Sequence, residues 1–179
     1  MEEKLTYVLG LANEWLRYAE AKNGALAAIA GAALAAVGNA LATSTSLSSE
    51  SKALGACTAI CVGLSCLIAL FSFVPWVNRM TLLTARKGVS DAKKDNLLFF
   101  GDVCKYTPEE FLNSMAHRYF QNDTYEAAQQ LGDLDLADQI VLNSRITVAK
   151  FRFFKVGIWA LIAAIPAALA ALFCHLFLN

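Results

Sequence analysis

The chain has 179 residues, 57% of them apolar and 17% charged, and its 15 Lys and Arg balance 15 Asp and Glu. That length suits a single domain, and neutrality leaves no basic footprint for a nucleic-acid partner. The charges are segregated, however: runs 24–42, 53–77 and 156–178 hold no Asp, Glu, Lys or Arg, which argues against a freely soluble globule, a disordered chain and a secreted disulfide scaffold.

In chain order, Leu5, Val8, Leu9, Ala12, Leu16 and Ala19 recur at i, i+3, i+4 and i+7, which predicts an amphipathic helix over 1–23. No proline intervenes before Gly24, so the helix should run on into the first apolar run as a rod of about 40 residues, roughly 60 Å. Each run is long enough for a bilayer core of about 30 Å, which takes about 20 helical residues. They predict spans at 24–42, 53–77 and 156–178, with a loop over 43–52. Ala40-Leu41-Ala42 resembles a signal-peptidase site, but the four Glu against three Lys and Arg before it are wrong for a secretory leader. The first span carries a ladder of small residues, Ala27, Gly31 and Ala35, with Ala28, Ala32 and Ala36 beside it. Such surfaces let helix backbones approach closely in lipid, and Asn39 near its end can hydrogen-bond across helices. These residues are expected to serve helix packing and a homo-oligomer. Pro166 should kink the third span or mark a weak point in it.

Segment 78–155 is the polar part. Thr107-Pro108-Glu109-Glu110 predicts a capping box that opens a helix through Phe111, Leu112, Met115 and Tyr119 to about Asn122. A further helix should begin near Asp123–Thr124, with Gly132-Asp133 breaking or bending it, and continue into the third span. Asn96–Asp102 reads as either a strand or an extended loop, because periodicity does not separate the two. Lys and Arg crowd the span ends on the side of 1–23 and 78–155, which predicts that those segments are cytoplasmic, with the 43–52 loop and the C-terminus outside. The expected fold is an all-α membrane protein: three transmembrane helices and a cytoplasmic antiparallel helical bundle, two of whose helices continue into spans.

Little here carries catalytic chemistry. Cys57, Cys61, Cys66 and Cys174 lie in the apolar runs and Cys104 outside them, without the convergent His or carboxylate partners a metal site needs. His117 and His175 have no nucleophile or zinc partner, and no phosphate loop or spaced carboxylate pair is present. No enzyme activity, metal or cofactor is expected. Arg86, Lys87, Lys150, Arg152 and Lys155 suit headgroup level for topology alone, or an anionic ligand.

Three ordered motifs carry a family resemblance. Tyr18-Ala19-Glu20-Ala21-Lys22-Asn23-Gly24 leads into an apolar helix, Phe99-Phe100-Gly101-Asp102-Val103 precedes Thr107-Pro108-Glu109-Glu110-Phe111, and Leu136-Ala137-Asp138-Gln139-Ile140 is followed by Ser144, Ile146 and Lys150-Phe151. Together they resemble the Pycsar-type transmembrane effector family, with Glu20 where Asp is usual and Phe151 where Tyr is usual. The resemblance implies an antiphage effector of the bacterial inner membrane. A cyclic nucleotide made by a partner cyclase, expected to be a cyclic pyrimidine mononucleotide, binds its cytoplasmic part and membrane integrity is then impaired. On motif position and chemistry, Lys22, Arg86 and Lys150 are the candidates to meet the phosphate. Asn96, Asp138 and Gln139 would read the base or ribose, and Phe151 would stack. The competing reading is a constitutive membrane scaffold or small channel subunit without a nucleotide ligand.

Overall fold

A computed structural model of the chain describes residues 1–43, 48–74, 90–120 and 131–177. Helices dominate because the long apolar runs can satisfy their backbone groups in lipid only within a helix. Helix α1 runs unbroken over Glu2–Thr43, with Glu2 and Glu3 in its first turn, where negative charge complements the helix dipole. Helix α2, Ser49–Phe71, is opened by Ser48, whose hydroxyl accepts the Ser51 N–H. Helix α3 is a single turn, Phe100–Val103, and α4 and α5 span Pro108–Phe120 and Leu131–Phe177. Three of these helices, α1, α2 and α5, are long and apolar enough to cross a membrane, and no strand occurs among the described residues. The protein is an all-α membrane protein in which α1 and α5 each join a polar to an apolar stretch.

Two compact units divide the chain: a polar unit of Met1–Ala19 and Pro75–Phe151, and an apolar unit of Glu20–Val74 and Arg152–Asn179. In the polar unit, Leu5 and Val8 of α1, Phe111, Leu112 and Met115 of α4, and Ala137, Ile140 and Val141 of α5 form one buried core with Leu97, Val103 and Tyr106. Contacts between α1 and α5 advance together, Asn13 with Asn143 and Tyr18 with Phe151, so these helices run parallel. Helix α4 runs against both: its start lies near Arg145, which reaches the Tyr106 carbonyl, and its end near Lys4, whose ammonium sits 4.8 Å from the Tyr119 ring centre. The capping box forms as expected, the Glu110 N–H donating to Thr107 Oγ1 at 3.2 Å and the Thr107 N–H to Glu110 Oε2 at 3.1 Å.

Segment Asn96–Asp102 is neither strand nor extended loop. It is a turn closing into α3, because its polar ends tie to each other: the Asn96 N–H donates to Asp102 Oδ2 at 3.1 Å and the Leu98 N–H to Asn96 Oδ1 at 3.0 Å. That tie drops Leu97 into the core, fully buried. Gly132 and Asp133 are helical, within α5, and the helix expected from 123–124 lies outside the described residues.

In the apolar unit α2 runs antiparallel to α1, with Leu41 over Gly55 and Leu34 near Gly63, while α5 runs parallel to α1, with Leu26 against Gly157. Ala30, Val62 and Ala164, one from each helix, share a buried cluster at mid-length. Ile29, Ile60, Leu64, Leu67, Ile165 and Leu169 are exposed, the outward apolar surface expected of a bundle solvated by lipid tails. Helix α5 is continuous through Pro166, which can donate no hydrogen bond to the Ile162 carbonyl one turn back.

Candidate functional site

The polar unit presents an aromatic cluster on the final turn of its α1 and α5 portions. Phe100 stacks on Phe151, with ring centres 5.4 Å apart and planes at 21°, and tilts against Trp15 at 5.2 Å. Phe99 stands 4.7 Å from Phe100, and Tyr18 stands 6.0 Å from Trp15 and 6.2 Å from Phe151. Trp15, Tyr18 and Phe99 keep part of their surface exposed, so the cluster is an accessible platform rather than core. Helical spacing puts Trp15 and Tyr18 on one face of α1, and α3 carries Phe99 and Phe100 across to α5. Gly101 is required here: a Cβ would lie 2.5 Å from the Phe99 ring. Lys150 precedes Phe151 on α5 and is only 8% exposed.

A charged knot braces α3 from behind. The buried Asp95 carboxylate accepts Lys105 Nζ at 2.9 Å, Tyr106 Oη at 3.1 Å and the Asp91 N–H at 2.9 Å, and Lys105 also reaches Asp102 at 2.6 Å. Burial alone would raise the Asp95 carboxyl, but the Lys105 ammonium and the Asp91 and Tyr106 donors hold it below its ordinary value. Lys105 is raised above its own by hydrogen bonds to Asp102 and Asp95. Tyr106 is pushed up to about 12 by burial and by the charge of Asp95. Arg118 donates to the backbone carbonyls of Asp95 and Ala92, and Arg145 to those of Cys104 and Tyr106. These cations are committed to structure.

The sequence-nominated residues divide accordingly. Phe151 and Lys150 adjoin the aromatic platform. Asn96 ties the turn before α3 through its side-chain oxygen, Oδ1, which accepts the Leu98 N–H. Asp138 and Gln139 are exposed on α5, and the helical rise places Gln139 about 16 Å along the axis from Lys150. Gln139 instead borders a cleft lined by Glu2, Asp133 and Asp135, whose carboxylates suit no phosphate. Gln139 and Lys150 are therefore not neighbours along the helix. Lys22 belongs to the apolar unit, where its ammonium stands 5.3 Å from the Phe154 ring centre. Arg86 lies outside the described residues. Ala27 and Gly31 are half-buried, while Ala35 and Asn39 are exposed. A Cβ at Gly31 would meet nothing within 4 Å, so the small-residue ladder is not consumed by packing among the described residues. Trp15 was not nominated, although its spacing of three from Tyr18 on a helix already put two aromatics on one face.

A family model described as PycTM, Pycsar effector protein domain, matches residues 4–177. No curated protein and no solved structure matches the chain.

Proposed function

The chain belongs to the Pycsar effector family, and from that premise we propose that it is an antiphage defence effector of the bacterial inner membrane. A cyclic nucleotide, which the family resemblance makes a cyclic pyrimidine mononucleotide, binds the polar unit, and the apolar unit then impairs membrane integrity, giving abortive infection. The N-terminus and the polar unit face the cytoplasm, where a partner cyclase supplies the ligand, and the C-terminus is external. The family match over nearly the whole chain carries this reading. The Phe100–Phe151 platform, with Lys150 one residue before Phe151 on α5, supports a place for the ligand, since aromatic faces stack on bases and an ammonium attracts phosphate. Lys22 and Arg86 remain candidates for the phosphate, and Asn96, Asp138 and Gln139 for the base or ribose. Ligand binding changes the apolar unit only through different affinity for two arrangements, and α1 and α5, shared by both units, are the route.

The test is titration of cyclic mononucleotides and cyclic oligonucleotides against the detergent-purified protein, followed by thermal shift. One of them should stabilise it, and no stabilisation by any sinks the reading. Lys150→Ala should weaken the binding nucleotide at least about tenfold, the loss of one charge-assisted contact, and abolish toxicity in cells that make it. Unchanged binding would move the site elsewhere.

We also propose that copies associate through Ala27, Gly31, Ala35 and Asn39. Gly31→Ile, which meets open space within its own chain, should leave the thermal midpoint near wild type yet shift the detergent-solubilised protein to smaller assemblies in light scattering. An unchanged assembly size would remove this face from the interface.

A further inference from the structure

Helix α2 is built unlike a lipid-packed span. Ser51, Thr58, Ser65 and Ser72 recur every seven residues and all are buried, so a seam of hydroxyls runs the length of the helix and faces the bundle interior. Between them stand Gly55, Val62 and Ala69, also buried, while the bulky apolar residues of α2, such as Leu64 and Leu67, point outward. Thr58 satisfies its hydroxyl on the Leu54 carbonyl at 2.9 Å and Ser72 its own on Ala69 at 2.7 Å. Ser65 does neither. Its Oγ is fully buried and has no hydrogen-bond partner, although such a group in an apolar interior costs on the order of 1–3 kcal/mol. At the end of the bundle where α1 closes and α2 opens, a cleft of about 240 Å³ reaches inward between Leu41, Thr58 and His175. On α2 Val62 lies between Thr58 and Ser65, where it shares a buried apolar cluster with Ala30 and Ala164, against which Leu34 and Leu161 pack, and Val62 is the one bulky apolar residue of the seam. Ala164 lies two residues before Pro166, where α5 has lost a backbone hydrogen bond.

We propose that this seam is a latent water and small-ion path through each three-helix bundle. The cleft is its vestibule, the α2 hydroxyls are its lining, and Ala30, Val62 and Ala164 form an apolar plug that keeps it dry. Apolar constrictions block ions by excluding water, and a small gain in polarity or width wets them. A path of this kind needs no carboxylate or lysine inside the membrane, and the unpaired Ser65 hydroxyl waits on the far side of the plug for the water that opening would admit. The inference deepens the membrane-impairing half of the function proposed above, and its test uses no nucleotide.

Purified protein is reconstituted into vesicles loaded with potassium chloride and a trapped anionic dye. Val62→Thr keeps the shape of the side chain and adds a hydroxyl to the plug. It should release potassium at least about tenfold faster than wild type while the dye stays inside, as a narrow wetted path would. Ala30→Ser, a smaller change to the same plug from α1, should do so more weakly, and Val62→Leu should stay tight. Adding Thr58→Val to Val62→Thr should return the leak to wild type. If folded Val62→Thr and Ala30→Ser vesicles both hold potassium as wild type does, the path is wrong. If dye escapes together with potassium, the bilayer is being damaged rather than crossed, and the proposal falls equally. A negative nucleotide titration would overturn the ligand reading and leave this result standing.

Discussion

Asp95→Ala should destabilise the polar unit by about 3 kcal/mol, because it removes a buried acceptor that three donors share. Lys105 Nζ, Tyr106 Oη and the Asp91 N–H all converge on that carboxylate. Lys105 keeps Asp102, but the Tyr106 hydroxyl, on a side chain 1% exposed, is left without an acceptor. Tyr106→Phe removes one hydrogen bond and should cost about 1 kcal/mol. The two variants are compared by thermal unfolding in detergent, and equal midpoints would mean that Asp95 does not organise the knot. The dependence on pH has a definite sign at each end. Asp95 is held below its ordinary value of 3.8, so the stability it contributes is complete above pH 4 and is lost as pH falls through the lower folded value. Tyr106 is raised from 10.0 to about 12, so its contribution is complete below pH 10 and is lost as pH rises towards 12. Lys105, also raised from its ordinary 10.5, loses its contribution in the same direction. Wild type should therefore be most stable between pH 4 and 10, and Asp95→Ala should flatten the acid limb.

The knot also shows what the sequence did not reveal. The capping box at Thr107 and Glu110 is local, four consecutive residues whose groups can satisfy only one another, and it forms as read. The spans follow equally from charge-free runs, because composition alone decides whether a helix can live in lipid. Asp95, Lys105, Tyr106 and Arg118 are separated by 10 to 23 residues in their hydrogen bonds, and no periodicity announces which side chains a turn will gather. Elsewhere the signal is present in the chain itself. Asp138 and Gln139 stand 11 or more residues before Lys150 on one helix, so the rise per residue sets them about 16 Å or more from it along the axis. The hydroxyls of α2 repeat at seven-residue intervals in an apolar run. A buried stripe differs from its lipid face by what recurs at that spacing.

A close helix approach in the apolar unit sits beside that stripe and makes Gly157 a sensitive position of the bundle. A Cβ there would lie 2.8 Å from Leu26 Cδ2 and 3.5 Å from the Ser65 carbonyl oxygen. Leu26 is itself 1% exposed, so its methyl has little room to yield, and the carbonyl behind it is backbone. Gly157→Leu must push α5 away from α1 and α2 together, an overpacking expected to cost about 2–3 kcal/mol. The cost should appear as a lowered thermal midpoint of the purified protein with its helical content kept, since the helices remain apolar enough to stay in detergent one by one. Leu26→Ala alone opens a cavity and should also destabilise, by about 2–4 kcal/mol. Combined, the two changes exchange large for small across one contact, so Gly157→Leu with Leu26→Ala should be more stable than the sum of the single losses by at least about 1 kcal/mol. Strict additivity would mean that the two positions do not touch, and the close approach of α1 and α5 would then be wrong.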